Sequence, residues 1–424
     1  MINKPIKPTN KKHYYLGLMS GTSADGLDLA LVTFDKNNKL QHHASYYQAY
    51  NNQTAAKIVA LYCATNNNPD NNEIDRAFEL DIELAQFFAK AISTFLAQQN
   101  LNSNDIIAIG SHGQTIRHRP GAKYPFTLQI GCCQTLATLT NIRVIGQFRR
   151  KDMALGGQGA PLVPAFHQTI FSERFTPDNL ITESAEKPES TLAKKTIKNG
   201  NDVFIVNIGG IANITFLPAT TLSNVIGYDT GTGNALMDDW YRLHNPNSNT
   251  HYDKNGEWAA TGKINNELLT KFLSDDYFQL PPPKSTGREY FHLTWLKQQL
   301  NTIQPITNQD VQATLTALTA TSIVNAIKQH NTKDITLTKV YLCGGGAHNK
   351  TLKNQINELL ISESNREDKT YKLSLTDEKG IDGDQLEAIA FAWLAFAYDK
   401  NLVSSMSAVT GASKSCTLGT AYFP

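Results

Sequence analysis

The sequence predicts an α/β protein, and three observations support this class. Apolar runs of strand length alternate with longer stretches of helical periodicity, as in Val203–Leu217 followed by Asp310–Gln329. In each half of the chain a pair of such runs flanks a glycine-containing turn, which is typical of a hairpin. Each hairpin is followed further on by a short apolar strand and a polar loop. This pattern by itself leaves open whether the two halves are an internal duplication.

The first half begins with a predicted hairpin. Residues Tyr14–Phe34 form two β-rich runs around the turn Gly21–Gly26. The later elements predicted here are a strand at His42–Tyr50, a helix over Ile74–Gln98, and a buried strand, Ile106–Gly110, that ends in a polar turn, Ser111–Thr115.

The second half follows the same order. Val203–Leu217 contains two apolar runs around Gly209 and Gly210, and a glycine-rich polar segment, Gly227–Asn234, follows. The remaining predicted elements are helices over Ile264–Leu273, Asp310–Gln329, Lys350–Leu360 and Gln385–Ala397, strands at Val340–Cys343 and within Thr417–Phe423, and a loop at Gly344–Asn349. Residues 171–201 are polar and lack an apolar period, which predicts a surface insertion.

The composition excludes several classes of protein. The 424 residues carry 39 Lys and Arg against 38 Asp and Glu, a formal net charge of +1. A protein that holds nucleic acid through its overall field needs a strong basic excess, so we predict no nucleic-acid partner. No apolar run is long enough to span a membrane, and the stretch after the N-terminal lysines is too short for a signal peptide. We therefore predict a cytoplasmic protein with no membrane partner.

The turn Ser20–Gly26 is a candidate phosphate-binding site. It combines backbone N–H donors with three hydroxyl groups and the carboxylate of Asp25, which could hold Mg²⁺ directly or through water. Glycines let successive N–H groups point into one concavity, which suits phosphate oxygens. The segment is not a GxxxxGK[ST] P-loop, because that motif is absent and both flanks are strands. An ordinary hairpin turn is the alternative.

The segment Gly227–Asn234 is a candidate for catalysis. Its Asp229 could accept a proton from an attacking oxygen nucleophile, as a general base must. The alternative is an Asx turn that caps the helix starting at Ala235. In Gly344–Gly346, glycine would let a flat ring lie against the backbone, although the spacing is not GxGxxG.

Three polar segments could contact a ligand. Ser111–Thr115 and Arg149–Asp152 supply donors for sugar hydroxyls or for a carboxylate, and an Arg guanidinium suits bidentate capture of a carboxylate. Lys284–Glu289 is a polar loop with a cation available to a ligand. The alternatives are a structural histidine at His112, a solvated charge run and a plain polar turn.

Together these segments resemble the 1,6-anhydro-N-acetylmuramic acid kinase family. Eight motifs carry the resemblance, in the family's order: GLMSGTSADGLD at Gly17–Asp28, GSHGQTIRHRP at Gly110–Pro120, GGQGAPLVPAFH at Gly156–His167, NIGGIANIT at Asn207–Thr215, GYDTGTGNALMDDW at Gly227–Trp240, KSTGREYF at Lys284–Phe291, CGGGAHN at Cys343–Asn349 and EAIAFAWLA at Glu387–Ala395. They cover the chain from about Tyr14 to Phe423. Two departures, the longer stretch at 171–201 and an N-terminal extension with Lys4–Lys12, touch no motif.

The resemblance implies the actin/hexokinase/Hsp70-type fold, with two duplicated ribonuclease-H-like domains and a nucleotide cleft between them. We expect residues 1–140 with 402–424 to form an N-terminal domain that carries the phosphate hairpin and part of the sugar site. Residues 141–401 should form a C-terminal domain with the catalytic Asp and the adenosine loop, interrupted by the insertion at 171–201.

The resemblance also implies the reaction. A kinase of this family uses ATP and Mg²⁺ to open the 1,6-anhydro ring with water and to phosphorylate O6, which gives N-acetylmuramic acid 6-phosphate and ADP in peptidoglycan recycling. Asp229 would be the base and Glu387 would orient the water. The implied ATP contacts are Gly21, Thr22, Ser23, Ala24, Asp25, Gly26, Leu27, Asp28, Gly209, Gly210, Gly344, Gly345 and Gly346, with Asp25 as the metal contact. The implied sugar contacts are His112, Gln114, Arg150 and Asp152, with Arg150 on the lactyl carboxylate.

Other functions stay open on the residues alone. A conventional hexokinase-like kinase, which phosphorylates a free hydroxyl, would share the fold, and so would a non-catalytic sugar or ATP sensor. A chaperone-type ATPase would need a peptide-binding module, for which the sequence leaves no span. The expected partner is a small-molecule sugar, and the resemblance is compatible with a homodimer.

Overall fold

The computed structural model describes residues 13–21, 23–62, 72–173, 200–219, 224–288, 290–301, 303–330, 332, 335–367 and 369–424. Its strands are β1 (Tyr14–Ser20), β2 (Gly26–Phe34), β3 (Leu40–Ala49), β4 (Ile106–Arg119), β5 (Phe126–Ile130), β6 (Val144–Gly146), β7 (Asp202–Ile208), β8 (Ile211–Leu217), β9 (Ile226–Thr232), β10 (Leu337–Cys343), β11 (Thr370–Leu375) and β12 (Thr420–Tyr422). Its helices are α1 (Asn52–Ala60), α2 (Glu73–Gln98), α3 (Cys133–Thr140), α4 (Phe148–Ala154), α5 (Pro164–Phe171), α6 (Ala235–His244), α7 (Asn266–Leu273), α8 (Asp276–Gln279), α9 (Leu293–Leu300), α10 (Asn308–His330), α11 (Lys350–Glu367), α12 (Leu386–Asp399) and α13 (Ser407–Thr410). Thr22, most of the predicted insertion at 171–201 and the extension with Lys4–Lys12 lie outside the described residues.

The chain divides into two units. The first comprises Met1–Phe166 and Gln385–Pro424, and the second comprises His167–Asp384. The first contains a seven-stranded sheet in the order β12-β6-β4-β1-β2-β3, with β5 paired to β4. The second contains a five-stranded sheet in the order β11-β10-β7-β8-β9.

The two sheets share one topology. In the first, β1, β2 and β3 are antiparallel neighbours, while β4 and then β6 continue in parallel beyond β1. In the second, β7, β8 and β9 are antiparallel neighbours, and β10 and β11 continue in parallel beyond β7. Antiparallel neighbours need only tight turns, whereas a parallel neighbour needs a crossover, which helices supply in both units. The predicted α/β fold with two ribonuclease-H-like domains is therefore confirmed, and the repeated hairpin in the sequence reflects a duplication.

The predicted domain boundaries differ from these units. Residues 141–166 belong with the first unit because β6 pairs with β4 on one side and with β12 on the other. The segment before 402 also belongs there, because α12 packs on β1 and β4.

Two glycines allow α12 to approach the sheet closely. A Cβ added at Gly17 would lie 1.7 Å from the Ala388 carbonyl oxygen, and a Cβ added at Gly110 would lie 1.9 Å from the Phe391 carbonyl oxygen. Only glycine permits this approach of a helix to the sheet, and it places Glu387 over the two strands.

Two polar segments of the sequence form strands rather than loops. The predicted turn Ser111–Thr115 is wrong: β4 continues to Arg119, since Gln114 pairs with Ser20 on β1 and with Ile130 on β5. The segment that contains Asp229 forms β9, whose backbone pairs with β8. In both segments the side chains are polar, but the backbone forms a strand because its peptide groups make hydrogen bonds to neighbouring strands.

Each unit has its own apolar core. Leu16, Leu29, Phe88 and Phe95 are buried in the first, and Phe204, Trp240, Leu315 and Ile323 are buried in the second. Within the described ranges, no helix combines the length and the apolar character needed to cross a membrane.

Candidate active site

The predicted phosphate turn joins β1 to β2 in the first unit. The amide of Ala24 donates to the Gly21 carbonyl at 3.2 Å, and Ala24 has a positive φ of 54°. Ser23 Oγ donates to Asp25 Oδ1 at 2.5 Å, and both side chains are exposed. A tight turn with an exposed hydroxyl and carboxylate is the arrangement that the phosphate-binding prediction requires.

The C-terminal part of the predicted phosphate segment is a strand. Gly26, Leu27 and Asp28 lie in β2, paired with β3, and the Leu27 side chain is fully buried. Asp28 accepts a hydrogen bond from Gln385 Nε2 at 3.2 Å. The β2 backbone is engaged in the sheet, whereas the described residues before it, Gly21 and Ser23–Asp25, lie in the turn.

Gln114, predicted as a sugar contact, braces this turn. Its side chain is fully buried. Its Oε1 accepts from Ser20 Oγ, and its Nε2 donates to the Gly21 carbonyl at 3.0 Å and to the Tyr62 hydroxyl at 3.1 Å. The amide therefore holds the phosphate turn through protein groups, and the predicted contact of Gln114 with the sugar stays a prediction.

A cluster of His112, Arg149 and Glu387 lies beside the middle of β4, the strand against which α12 packs. Arg149 Nε and Nη2 lie 3.2 and 2.9 Å from His112 Nε2, and Nη1 donates to the Gly159 carbonyl at 2.8 Å. Because the guanidinium can only donate, His112 Nε2 is the acceptor and the neutral ring carries its proton on Nδ1. The His112 ring also lies 4.8 Å from that of Phe391, which is one helical turn after Glu387 on α12.

Burial and charge set the ionisation of this cluster. Burial, and then the Arg149 charge, lower the pKa of His112 to about 3, so its ring is neutral at physiological pH. Burial lowers the pKa of Arg149 to about 10, and the Glu387 carboxylate acts against that shift. Burial raises the pKa of Glu387, and the Arg149 charge opposes the rise. The Arg149 charge therefore favours the ionised form of Glu387, whereas burial acts against it.

Two further predicted sugar contacts, Arg150 and Asp152, lie on α4. Arg150 is exposed, and its charge acts on Tyr422 at the edge strand β12, whereas its neighbour Arg149 enters the cluster. Asp152 is fully buried and accepts from the Gly159 amide at 2.8 Å and from Thr410 Oγ1 at 2.7 Å. One oxygen of Asp152 thus holds the 156–161 loop and the other holds α13, and its predicted contact with the sugar stays a prediction. Nothing in the sequence separated Arg149 from Arg150, because adjacent helix positions differ only in the side they face.

Asp229 lies on β9 in the second unit. Its amide donates to the Lys284 carbonyl at 3.1 Å, and its carbonyl accepts from the Tyr277 hydroxyl at 2.6 Å. Its Oδ2 accepts from Ser285 Oγ at 2.7 Å and from the Thr286 amide at 3.0 Å. The sequence alone did not indicate that the 284–289 loop contacts this aspartate.

The glycine segments predicted to contact ATP come together in the second unit. The Gly209 carbonyl accepts from the Asn234 amide at 2.8 Å, and the Gly210 carbonyl accepts from the amide of Gly233 at 3.0 Å. A Cβ on Gly346 would lie 2.9 Å from Asn234 Oδ1, so the loop after β10 adjoins the same segment. A Cβ on Gly345 would meet nothing closer than 3.9 Å, which leaves an open surface there. Gly344 has a φ of 76°, which favours glycine.

The acidic residues do not assemble a protein-only metal centre. In the part of the chain that the structure describes, no group of three or more His, Cys, Asp and Glu side chains could hold a metal ion. This arrangement fits Mg²⁺, which commonly binds through substrate phosphates, retained waters and one or two carboxylates. Asp25 in the phosphate turn fits that pattern.

The fold and the two half-sites define a class of protein. A duplicated ribonuclease-H-like fold, with a polar hairpin turn in one domain and a carboxylate beside glycine loops in the other, is that of the hexokinase-related kinases and ATPases. The chain belongs to the anhydro-N-acetylmuramic acid kinase family, whose model matches residues 13–180 and 191–424. The gap in the match, 181–190, falls inside the predicted insertion.

Relatives over the full length support this membership. The chain is 53% identical to an anhydro-N-acetylmuramic acid kinase of Colwellia psychrerythraea, over 100% of both chains. It is 44% identical to that of Shewanella sp. strain W3-18-1, over 96% of this chain and 98% of the relative. It is 42% identical to that of Coxiella burnetii strain Dugway 5J108-111, over 97% and 98%.

Proposed function

We propose that this protein converts 1,6-anhydro-N-acetylmuramic acid and ATP into N-acetylmuramic acid 6-phosphate and ADP, as a cytoplasmic enzyme of peptidoglycan recycling. Family membership over the whole chain carries the proposal. The carboxylate of Asp229 supports it, since a non-catalytic sensor would need no general base.

The substrate dictates an unusual order of events. Its O6 is bonded to C1, so no free 6-hydroxyl exists until the bridge opens. In the proposed step, Asp229 accepts a proton from water as the water oxygen bonds to C1. The C1–O6 bond breaks, and O6 then bonds to the γ-phosphorus of ATP as the bond to the β-phosphate oxygen breaks. Hydrolysis and phosphoryl transfer are thereby coupled.

The residues of the first unit have complementary roles. The turn Gly21–Asp25 would hold phosphate oxygens with its N–H and hydroxyl groups, with Gln114 bracing it from behind. Mg²⁺, when bound at Asp25, would neutralise charge on the phosphates. Glu387, whose ionised form is favoured by the Arg149 charge and disfavoured by burial, would orient the attacking water. Phosphoryl transfer needs mainly positioning and charge neutralisation, which these groups can supply.

An acceptor-dependent assay tests the proposal. We expect ADP release, in the presence of ATP and Mg²⁺, with 1,6-anhydro-N-acetylmuramic acid as the sole acceptor and only background release with glucose or N-acetylglucosamine. Turnover of the free sugars with none of the anhydro-sugar would identify a conventional hexokinase-like kinase. Absence of turnover with every acceptor, despite ATP binding, would indicate a sensor.

A further inference from the structure

The loop Lys284–Arg288 runs along Asp229 and contacts it three times. The Lys284 carbonyl accepts from the Asp229 amide, while Ser285 Oγ and the Thr286 amide both donate to Oδ2, at 2.7 and 3.0 Å. Three consecutive loop residues thus hold both the backbone and the carboxylate of one strand residue. Two donors on a single oxygen restrict rotation of the carboxylate about its last torsion.

The loop is itself anchored at both ends. At one end, Lys284 Nζ donates to the Tyr277 carbonyl at 3.0 Å and lies 4.7 Å from the centre of the Tyr277 ring. Tyr277 in turn contacts Asp229, because its buried hydroxyl donates to the Asp229 carbonyl. At the other end, Arg288 Nη2 lies 3.2 Å from Asp239 Oδ1 on α6. The same oxygen also pairs with Arg242.

The chemistry of these contacts suits a base more than a structural support. Ser285 is exposed, so its hydroxyl could bond to water, and the hydrogen bond to a carboxylate adds little to folding stability. A hydrogen bond to the ionised form of a carboxyl group does, however, favour that form. The hydrogen bond therefore acts on the ionisation of Asp229, and the same free energy contributes to folding where the carboxyl group is ionised.

We propose that Ser285 and Thr286 are positioning residues for the base, which hold the Asp229 carboxylate in one orientation and favour its ionised form, within a loop fixed by Lys284 and Arg288. This inference rests on the proposed role of Asp229 as the base. Thr286 acts through its backbone amide, so Ser285 is the member that substitution can test.

Other ionisable groups adjoin Asp229. They are Tyr277 on α8, Lys284 in the loop and Tyr228, the preceding residue of β9. Burial, and then the charges of Asp229 and Tyr228, raise the pKa of Tyr277, so it stays protonated across the range of the assay. Lys284 and Tyr228 are unchanged in every variant below, so a difference between variants reports on the Ser285 hydrogen bond.

The test compares the pH profiles of Ser285→Ala, Ser285→Thr and the unmodified enzyme. We expect kcat for the anhydro-sugar to fall about twofold to tenfold in Ser285→Ala, the range for one hydrogen bond to an exposed charged group. The acid limb of kcat/KM should move upward by about half a pH unit to one unit, because the carboxylate loses a donor. KM for ATP should not change, and the melting temperature should fall by no more than about a few degrees. Ser285→Thr keeps the hydroxyl and should restore the profile.

Ser274→Ala is the matched control. Ser274 is exposed on the same unit and donates to the Lys271 carbonyl at the end of α7, so its removal should leave the profile in place. An unmoved acid limb in Ser285→Ala overturns the inference, and so does a fall in kcat that comes only with a lower melting temperature. If the unmodified enzyme does not turn over the anhydro-sugar, the proposed function fails instead, which separates the two claims.

Discussion

Asp229→Asn should abolish formation of the sugar phosphate while leaving the protein folded. Removing a general base typically costs about 10²- to 10⁴-fold in rate, because the amide cannot accept the proton of water. The fold should tolerate the change, since the amide oxygen can still accept from Ser285 Oγ and from the Thr286 amide. Acceptor-dependent ADP release, together with mass spectrometry of the sugar product, measures the loss.

The control for this variant is Asp377→Asn. Asp377 is an exposed aspartate of the same unit, in the turn that follows β11, and its change should leave turnover within about twofold. ATP binding by Asp229→Asn should equal that of the unmodified protein in calorimetry. Turnover by Asp229→Asn at the unmodified rate would remove Asp229 from the role of base.

Arg149→Met should have the second-largest effect, on both stability and activity. The substitution leaves Glu387 without its buried cation and removes the donors on His112 Nε2. Leaving a buried donor or acceptor without its partner costs about 1–3 kcal/mol. We expect the free energy of unfolding to fall by about 2–3 kcal/mol, because His112 Nε2 and the Gly159 carbonyl both lose their Arg149 donors. Turnover of the anhydro-sugar should fall at least about tenfold, since loss of the Arg149 charge disfavours the ionised form of Glu387.

The neighbouring arginine supplies a matched control. Arg150→Met removes an identical side chain from the next position of α4, but Arg150 is exposed and faces the edge strand. Its effect on the free energy of unfolding should stay within about 0.5 kcal/mol, as for most surface substitutions. Denaturant titration and the ADP-release assay would be run on both variants. If Arg150→Met lost activity while Arg149→Met kept it, the sugar contact expected from the sequence would be the correct one.

Much of the fold could be predicted because its signals are local. The hairpin turns carry glycine and small polar residues between apolar runs, and α2 has an apolar face at helical spacing that ends in the core beside β1. The motifs then indicated the family, and through it the duplicated topology. The strand nature of Gln114 and Asp229 could not be read locally, since it depends on backbone pairing with β1 and β8.

The site was predicted less completely than the fold. The phosphate turn and Asp229 were indicated by residue type, because few other segments combine glycine, hydroxyl and carboxylate groups. The contacts that each polar side chain makes depend on the tertiary structure. The side chains of Asp152 and Gln114 make hydrogen bonds to other groups of the protein. Arg149, the neighbour of the predicted sugar contact Arg150, lies beside His112 and the Gly159 carbonyl. Such choices depend on which side of an element faces the core, which a motif does not specify.

The most direct test of the coupled reaction is the position of oxygen from solvent in the product. The enzyme would turn over 1,6-anhydro-N-acetylmuramic acid and ATP briefly in ¹⁸O-water, and fragment mass spectrometry would locate the label. Unlabelled product, held in the same water with enzyme for the same time, corrects for exchange at C1. We predict one ¹⁸O atom at C1 and none at O6 or in the transferred phosphate. Absence of label from C1, or label in the phosphate ester, would contradict water attack at C1.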